Sequence, residues 1–234
     1  MAIPTLPRSR SPSCIGLTAN RYPLTATTLL LISVIILNEV CQVFGFGQNG
    51  VMSTDQDRLD EQKRIFGIAY RIAKKAHSGD FRDLPDARPY LEHVKDVAAF
   101  FPDWETKTVA ILHDTIEDTR KKKPGIKVTA KTLRKSRIPG HIISAVVAMT
   151  KPEKTSTQKA NEAKNSELKL ANYLKYVKDT VKPNPLACRV KIADNYVNMR
   201  DLIAQENLDE AAKNQLNKYA QSIAILTAKS KPSK

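Results

Sequence analysis

One histidine and three carboxylates fall within a single short segment that runs from His113 to Asp118 and also contains Asp114 and Glu117. We predict that these residues lie on a helix spanning residues 105–118, where side chains four residues apart share a face. Carboxylates held this close repel one another unless a cation compensates them. An imidazole beside carboxylates suits a divalent first-row metal such as Mn²⁺, Fe²⁺ or Zn²⁺. Apolar residues flank the segment, so a metal site is favoured over an exposed polar helix face.

Two other segments supply residues that could complete such a site. His93 lies on the preceding predicted helix, which begins at Pro89. Asp194, Asn198 and Asp201 share one face of an otherwise apolar helix predicted from Leu186 to about Leu202. Taken alone, His93 is more typical of a buried core histidine than of a metal ligand, and Asp194 of an ordinary helix carboxylate.

The elements that must position these residues are helices, because apolar residues recur with helical spacing from Asp55 onward. Almost no strand-like runs follow Gly50, so we predict an all-α domain with a bundle of about eight helices. The stretch from Lys151 to Lys164 is polar and rich in lysine, and we predict that it forms a loop. The remaining predicted helices are residues 55 to about 77, 129–135, 140–149, 166–181 and 208–229.

Composition narrows the class of partner. The chain has 234 residues, with 38 Lys and Arg against 24 Asp and Glu, and a formal net charge of +14. This balance suits a polyanion: nucleic acid, an anionic membrane surface or a phosphorylated small molecule. Aromatic residues make up only 6% of the chain, too few for the stacking surfaces typical of single-strand binders. Three cysteines without a C-x-x-C pair exclude a disulfide framework and a thiolate zinc site.

Residues 1–51 differ in character from the rest. Basic residues precede an apolar run from Leu24 to Leu37, the layout of a signal peptide or a short membrane anchor. We favour a processed segment, or a true start at Met52, over a real anchor. The G-x-G-x-x-G motif at residues 45–50 needs strands of a parallel sheet behind it, which the following sequence does not provide. We therefore expect an extension (1–51), a helical domain (52–228) and a basic tail (229–234).

A known family shares the order of these residues. The set His93, His113-Asp114 and Asp194 resembles the signature of HD-domain metal-dependent phosphohydrolases. The fuller pattern is similar to the hydrolase domain of RelA/SpoT proteins and the small alarmone hydrolases, from roughly Arg58 to Ala228. It comprises the segments HSGDFR, PYLEHV, ILHDTIEDT and VKIADNYVNMRDL.

The resemblance implies an HD-domain helical bundle with one metal ion, Mn²⁺ in this family, held by His93, His113, Asp114 and Asp194. It implies that Glu117 and Asp118 orient and deprotonate the attacking water. It also implies that Arg82 lines the nucleotide pocket near the guanine, and that Asn198 contacts the ribose or phosphate region. The family reaction removes pyrophosphate from the 3′ position of (p)ppGpp and returns GDP or GTP, in the stringent response.

Some residues depart from the family pattern. Asp80 replaces the usual glutamine of the first segment, and Asp83 stands where a second basic residue is common. Both positions bear on base recognition, so an HD phosphohydrolase acting on another nucleotide stays open, as does a non-enzymatic polyanion binder on the same scaffold. We expect a stand-alone degrading enzyme with no nucleic-acid partner, and no prediction of oligomeric state follows.

The expected compartment depends on the N-terminal segment. If the apolar run crossed a membrane, the three arginines ahead of it would keep the N-terminus on the cytoplasmic side and place the domain on the other side, away from a cytoplasmic alarmone. We therefore expect a cytoplasmic protein. The alternative is a protein anchored in the membrane or exported through residues 21–43, with membrane contact only if residues 1–51 are an anchor.

Overall fold

The computed structural model describes residues 55–83, 87–122, 127–205 and 208–229. Within these ranges the chain is helical, and an isolated bridge between Phe81 and Pro89 is the only β pairing. The all-α prediction is confirmed. The predicted extension with its G-x-G-x-x-G motif, the candidate start at Met52 and the end of the basic tail lie outside the described residues. The α-helices are α1 (Asp55–Ala76), α2 (Tyr90–Ala99), α3 (Trp104–Leu112), α4 (Thr115–Lys122), α5 (Ala130–Lys135), α6 (Gly140–Met149), α7 (Ser156–Lys164), α8 (Ser166–Tyr176), α9 (Pro185–Ile203) and α10 (Glu210–Thr227).

Helix α3 occupies the centre of the domain. It packs against α1, α2, α6 and α9. Its last turns, residues 108–112, are buried on every side, as expected for a helix enclosed by others. Helix α9 packs in turn against α2, α3, α6 and α10. The two central helices therefore bring residues that lie far apart in sequence into one buried region.

The prediction of one helix over residues 105–118 is wrong, because a turn at His113 and Asp114 divides this segment into α3 and α4. Two side chains take the carbonyl groups at the end of α3: His113 Nδ1 donates to Ala110 O (2.7 Å), and Thr115 Oγ1 donates to Leu112 O (2.7 Å). Side chains that bond local carbonyls compete with the helical backbone ladder. Glu117 and Asp118 therefore lie in the first turn of α4, where negatively charged side chains stabilise a helix by interacting with its dipole.

The predicted loop over residues 151–164 is also wrong in part, because Ser156–Lys164 forms α7. Thr155 caps this helix with Gln158 in a reciprocal capping box. Glu162 then accepts hydrogen bonds from Lys154 and from Asn172 of α8, which fixes the polar helix to its neighbour. Together with the break after α3, this gives ten α-helices in the described ranges instead of about eight.

The helix predicted over residues 166–181 is confirmed as α8 followed by a π-helical turn, Val177–Val181. Asn184 then caps α9 by accepting a hydrogen bond from Ala187 N (3.0 Å), with Pro185 in the first turn. Among the described residues, no helix combines the length and the apolar character that crossing a membrane requires.

The packing around α3 yields a stability prediction. Ile142 on α6 is fully buried, whereas Val147 on the same helix is 44% exposed. Replacing Ile142 with Ala should lower the free energy of unfolding by about 2–5 kcal/mol, since it removes buried methylenes and leaves a cavity. Val147→Ala should change it by less than about 1 kcal/mol. Urea unfolding followed by circular dichroism measures both values, and equal effects would contradict this packing.

Candidate metal centre

Three helical elements bring the four predicted metal ligands together. His93 comes from α2, His113 and Asp114 from the junction of α3 and α4, and Asp194 from α9. One ligand atom from each of His93, His113 and Asp114 lies within 4.8 Å of the others. Asp194 Oδ1 lies 3.2 Å from His93 Nε2 and 3.7 Å from His113 Nε2. The geometry therefore places Asp194 beside both histidines, although this carboxylate is also engaged by protein donors.

The donor set fits a cation. Because His113 Nδ1 donates to Ala110 O, we assign the ring proton to Nδ1, which leaves a lone pair on Nε2. That buried Nε2 has no hydrogen-bond partner among the described residues and lies 3.0 Å from Asp114 Oδ2. A lone pair facing two carboxylates is unfavourable until a positive charge occupies the space between them. A divalent metal, bound by neutral imidazole and carboxylate, satisfies all of these atoms.

The electrostatics of the cluster show that a proton can also supply this positive charge when no metal is bound. Burial opposes the protonation of His113, but the Asp114 and Asp194 carboxylates outweigh burial and hold the pKa of His113 well above its ordinary value. Burial alone would raise the pKa of Asp114, yet the neighbouring His113 lowers it. In the absence of a metal, a proton on His113 therefore supplies the compensating charge. A metal ion would displace that proton on binding.

His93 differs from His113 in this respect. It is almost fully buried, and burial lowers its pKa despite the adjacent Asp194 carboxylate. A histidine that stays neutral at physiological pH keeps a lone pair available for a metal. The structure thus gives the two histidines different electrostatic environments around one point.

Three donors hold the carboxylates in place. Tyr90 Oη donates to Asp114 Oδ2 (2.6 Å), Asn198 Nδ2 donates to Asp194 Oδ1 (2.6 Å), and Lys191 Nζ donates to Asp194 Oδ2 (2.8 Å). Sequence reasoning assigned no role to Tyr90 or Lys191. Each lies three residues before a predicted ligand on the same helix, a spacing that could have identified them.

Lys191 carries a buried positive charge, and the Asp194 carboxylate explains how that charge is tolerated. Burial would lower the pKa of Lys191, but Asp194 outweighs burial and raises it well above the ordinary value. In turn, burial would raise the pKa of Asp194, and Lys191 is the largest of the influences that hold it well below the ordinary value. Asp194 is therefore ionised throughout the physiological range and available to a cation.

Glu117 and Asp118 lie against different parts of the protein. Glu117 is buried, and Lys151 donates to it twice, from the backbone N to Oε2 (3.1 Å) and from Nζ to Oε1 (3.2 Å). Asp118 Oδ2 lies 3.7 Å from Nδ1 of the buried His77, whose ring stacks on Tyr90. The predicted sharing of one helix face by all four polar groups is therefore wrong. Sequence reasoning gave no role to Lys151, which lies 34 residues beyond Glu117.

The two predicted substrate-binding residues lie side by side. Arg82 donates to Asn198 Oδ1 (3.0 Å) and to Asp201 Oδ2 (3.2 Å), and Asn198 in turn donates to Asp194. Arg88 and Arg200 also bond to Asp201, which the sequence had placed on the same face as Asp194 and Asn198. A chain of hydrogen bonds thus connects Arg82 to the carboxylate of the metal centre.

Removal of the imidazole of His113 tests the metal centre. Excess Mn²⁺ should stabilise the wild-type protein by about 2.7 kcal/mol at one hundred times the dissociation constant, because only the folded state holds the site. His113→Ala should lose most of that gain in thermal unfolding. The control is His141→Ala: His141 is half exposed and pairs with Glu105, so this variant should keep the gain. An equal metal-induced shift in both variants would contradict the site.

The hydroxyl of Tyr90 provides a second test. Tyr90→Phe removes the hydrogen bond to Asp114 and keeps the ring that stacks on His77. Loss of a group that orients a metal ligand typically costs about 10–100-fold in metal affinity. Calorimetric titration with Mn²⁺ should show a loss of that order while thermal stability without metal changes little. Unchanged affinity would mean that Tyr90 does not orient Asp114.

No protein-family model matches the sequence, and no curated protein matches it. Among solved structures, the chain is similar to a metazoan ortholog of SpoT, described as hydrolysing ppGpp and playing a role in starvation responses. The two are 19% identical, and the match covers 76% of this chain and 88% of that chain with a TM-score of 0.49.

Proposed function

We propose that this protein is a metal-dependent phosphohydrolase that removes the 3′-pyrophosphate of (p)ppGpp and returns GDP or GTP. The observation that carries the proposal is the cluster of His93, His113, Asp114 and Asp194, in which all residues except the half-buried Asp114 are buried. Its residues come in the order and with the identities of the HD signature that the sequence resembles. They also meet around His113 Nε2, a buried nitrogen without a hydrogen-bond partner among the described residues.

In this proposal the four residues hold one divalent ion, and we propose Mn²⁺. A divalent ion at such a site polarises a phosphoryl oxygen and lowers the pKa of a bound water. The protein contributes fixed ligands: Tyr90 holds Asp114, while Lys191 and Asn198 hold Asp194. These hydrogen bonds reduce the reorganisation that ligand binding would otherwise require.

Glu117 and Asp118 are the proposed acid–base residues. Hydrolysis forms a bond between the water oxygen and phosphorus, breaks the bond from phosphorus to the ribose 3′ oxygen, and moves a proton from the water to that oxygen. A positioned carboxylate can accept and return this proton, an effect worth about 10²–10⁴-fold in rate. The two donors from Lys151 hold Glu117 in one orientation, which supports a role in positioning the water.

Arg82 and Asn198 are the proposed nucleotide-binding residues. Their support is position: they form a hydrogen-bonded chain that ends at Asp194, next to the metal centre. A nucleotide bound there would place its phosphates close to the ligands. The proposal also places the reaction in the cytoplasm, where the alarmone is made, and assigns the excess positive charge to a polyphosphate rather than to nucleic acid.

A second substrate class has specific support. Arg82 already donates to both Asn198 and Asp201, so a base that used its guanidinium would compete with two protein partners. Together with Asp80 and Asp83 in the same segment, this favours as the alternative an HD phosphohydrolase that acts on another nucleotide.

The first activity test compares substrates and metals. The purified chain should release pyrophosphate from ppGpp and form GDP when Mn²⁺ is present, and release should cease with chelator. Chromatography of the products identifies GDP, and a panel of other nucleotides runs in parallel. Turnover of another nucleotide but not of ppGpp would establish the alternative.

Variants of the acid–base residues separate an enzyme from a binder. Glu117→Gln and Asp118→Asn should each lower turnover by about 10²-fold or more, because they remove a proton acceptor. Mn²⁺ affinity should stay near that of the wild type, since neither residue belongs to the ligand set. Full activity in both variants would exclude the proposed roles.

A further inference from the structure

Lys218 of α10 lies at the Tyr173 ring, as does Lys191, and differs from the lysines that bond to carboxylates of the site. Lys191 bonds to Asp194 and Lys151 bonds to Glu117, so each neutralises a carboxylate. Lys218 Nζ donates to the neutral amide oxygen of Gln215 (2.7 Å). Among the described residues, no carboxylate forms an ion pair with Lys218. Lys218 therefore lacks the direct carboxylate contact that Lys151 and Lys191 have.

Two aromatic rings lie close to the ammonium group of Lys218. Its Nζ lies 4.3 Å from the centre of the Tyr219 ring and 5.5 Å from that of Tyr173. Lys191 Nζ lies 5.9 Å from the same Tyr173 ring, so this ring adjoins both lysines. Cation–π contacts offset part of the cost of removing a lysine from water, but they do not neutralise its charge.

The electrostatic environment of Lys218 favours an incoming anion. Burial is the largest cause that lowers its pKa to about 8, and repulsion from Lys151 and Lys191 adds to it. Asp194 opposes the shift and Lys169 reinforces it. Lys218 thus adds to the positive charge that Lys151 and Lys191 contribute to this part of the protein, and a ligand with two or more negative charges would relieve their repulsion.

We propose that Lys218, which lies at the Tyr173 ring together with Lys191, binds the diphosphate group that the reaction releases from the 3′ position. The inference rests on the proposed function for the identity of that diphosphate. The charge arrangement itself requires only a compact polyanion. Lysine is suited to this role because its ammonium group acts as a point charge with three donors for phosphate oxygens.

Inorganic pyrophosphate is the probe for the test. Calorimetric titration of the full metal-loaded chain compares wild type, Lys218→Met, Lys218→Arg and Lys213→Met. Lys213 lies on the same helix, is exposed and pairs with Glu210, so it serves as a matched control. Lys218→Met should bind pyrophosphate about tenfold or more weakly, as expected for the loss of one charged hydrogen bond. Lys218→Arg should restore most of the affinity, and Lys213→Met should match wild type.

GDP titrated in parallel distinguishes the two ends of the nucleotide. Its affinity should be unchanged in Lys218→Met, because its diphosphate is on the 5′ oxygen. Loss of GDP affinity would move Lys218 to the 5′ end and overturn the assignment. Equal affinity of wild type and Lys218→Met for pyrophosphate, or no binding by wild type, would also overturn it.

The outcome is separable from that of the proposed function. If the affinity for pyrophosphate depends on Lys218 but the protein does not hydrolyse ppGpp, the proposed substrate is wrong and the diphosphate site stands. If the protein hydrolyses ppGpp but its affinity for pyrophosphate does not depend on Lys218, the proposed function stands and the proposed diphosphate site is wrong.

Discussion

The close approach of His113 Nε2 to the carboxylates of Asp114 and Asp194 is the constraint on which the rest of the site depends. Three electron-rich groups meet in a buried space, and their mutual repulsion is relieved only by positive charge. The protein provides part of that charge with Lys191 and binds the remaining oxygens with Tyr90 and Asn198. The negative charge that these donors do not offset lies around His113 Nε2, which is where we propose that the cation binds.

The fold maintains this arrangement through the interruption between α3 and α4. In a continuous helix, His113 and Asp114 would point in different directions, because adjacent residues lie on different faces. Instead, His113 and Thr115 bond the last carbonyls of α3, and both potential ligands lie at the junction. The surrounding helices then bring in His93 from α2 and Asp194 from α9. A local competition for backbone hydrogen bonds therefore decides where the chemistry can occur.

The sequence was sufficient for the helical class and most helix positions, because these leave a local signal. His93 and Asp194 leave no such signal, and only the family resemblance grouped them with His113 and Asp114. Apolar spacing identifies helices, and the His-Asp pair within an apolar run is unusual for an exposed surface. The break at His113 could not be predicted from apolar spacing, which continues across it through Leu112 and Ile116. Helix α7 was missed because it is polar on nearly all sides and owes its position to its cap and to Glu162. Lys151 was missed because its contact with Glu117 is long-range.

The double contact between Lys151 and Glu117 has a consequence for how this position could change over evolution. One of the two donors is the backbone N–H of residue 151, which every amino acid except proline possesses. A substitution there would therefore remove the ammonium group and its charge yet leave the carboxylate attached at one oxygen. The orientation of Glu117 and the local charge are thus separately adjustable, so charge near the site could drift without loss of geometry.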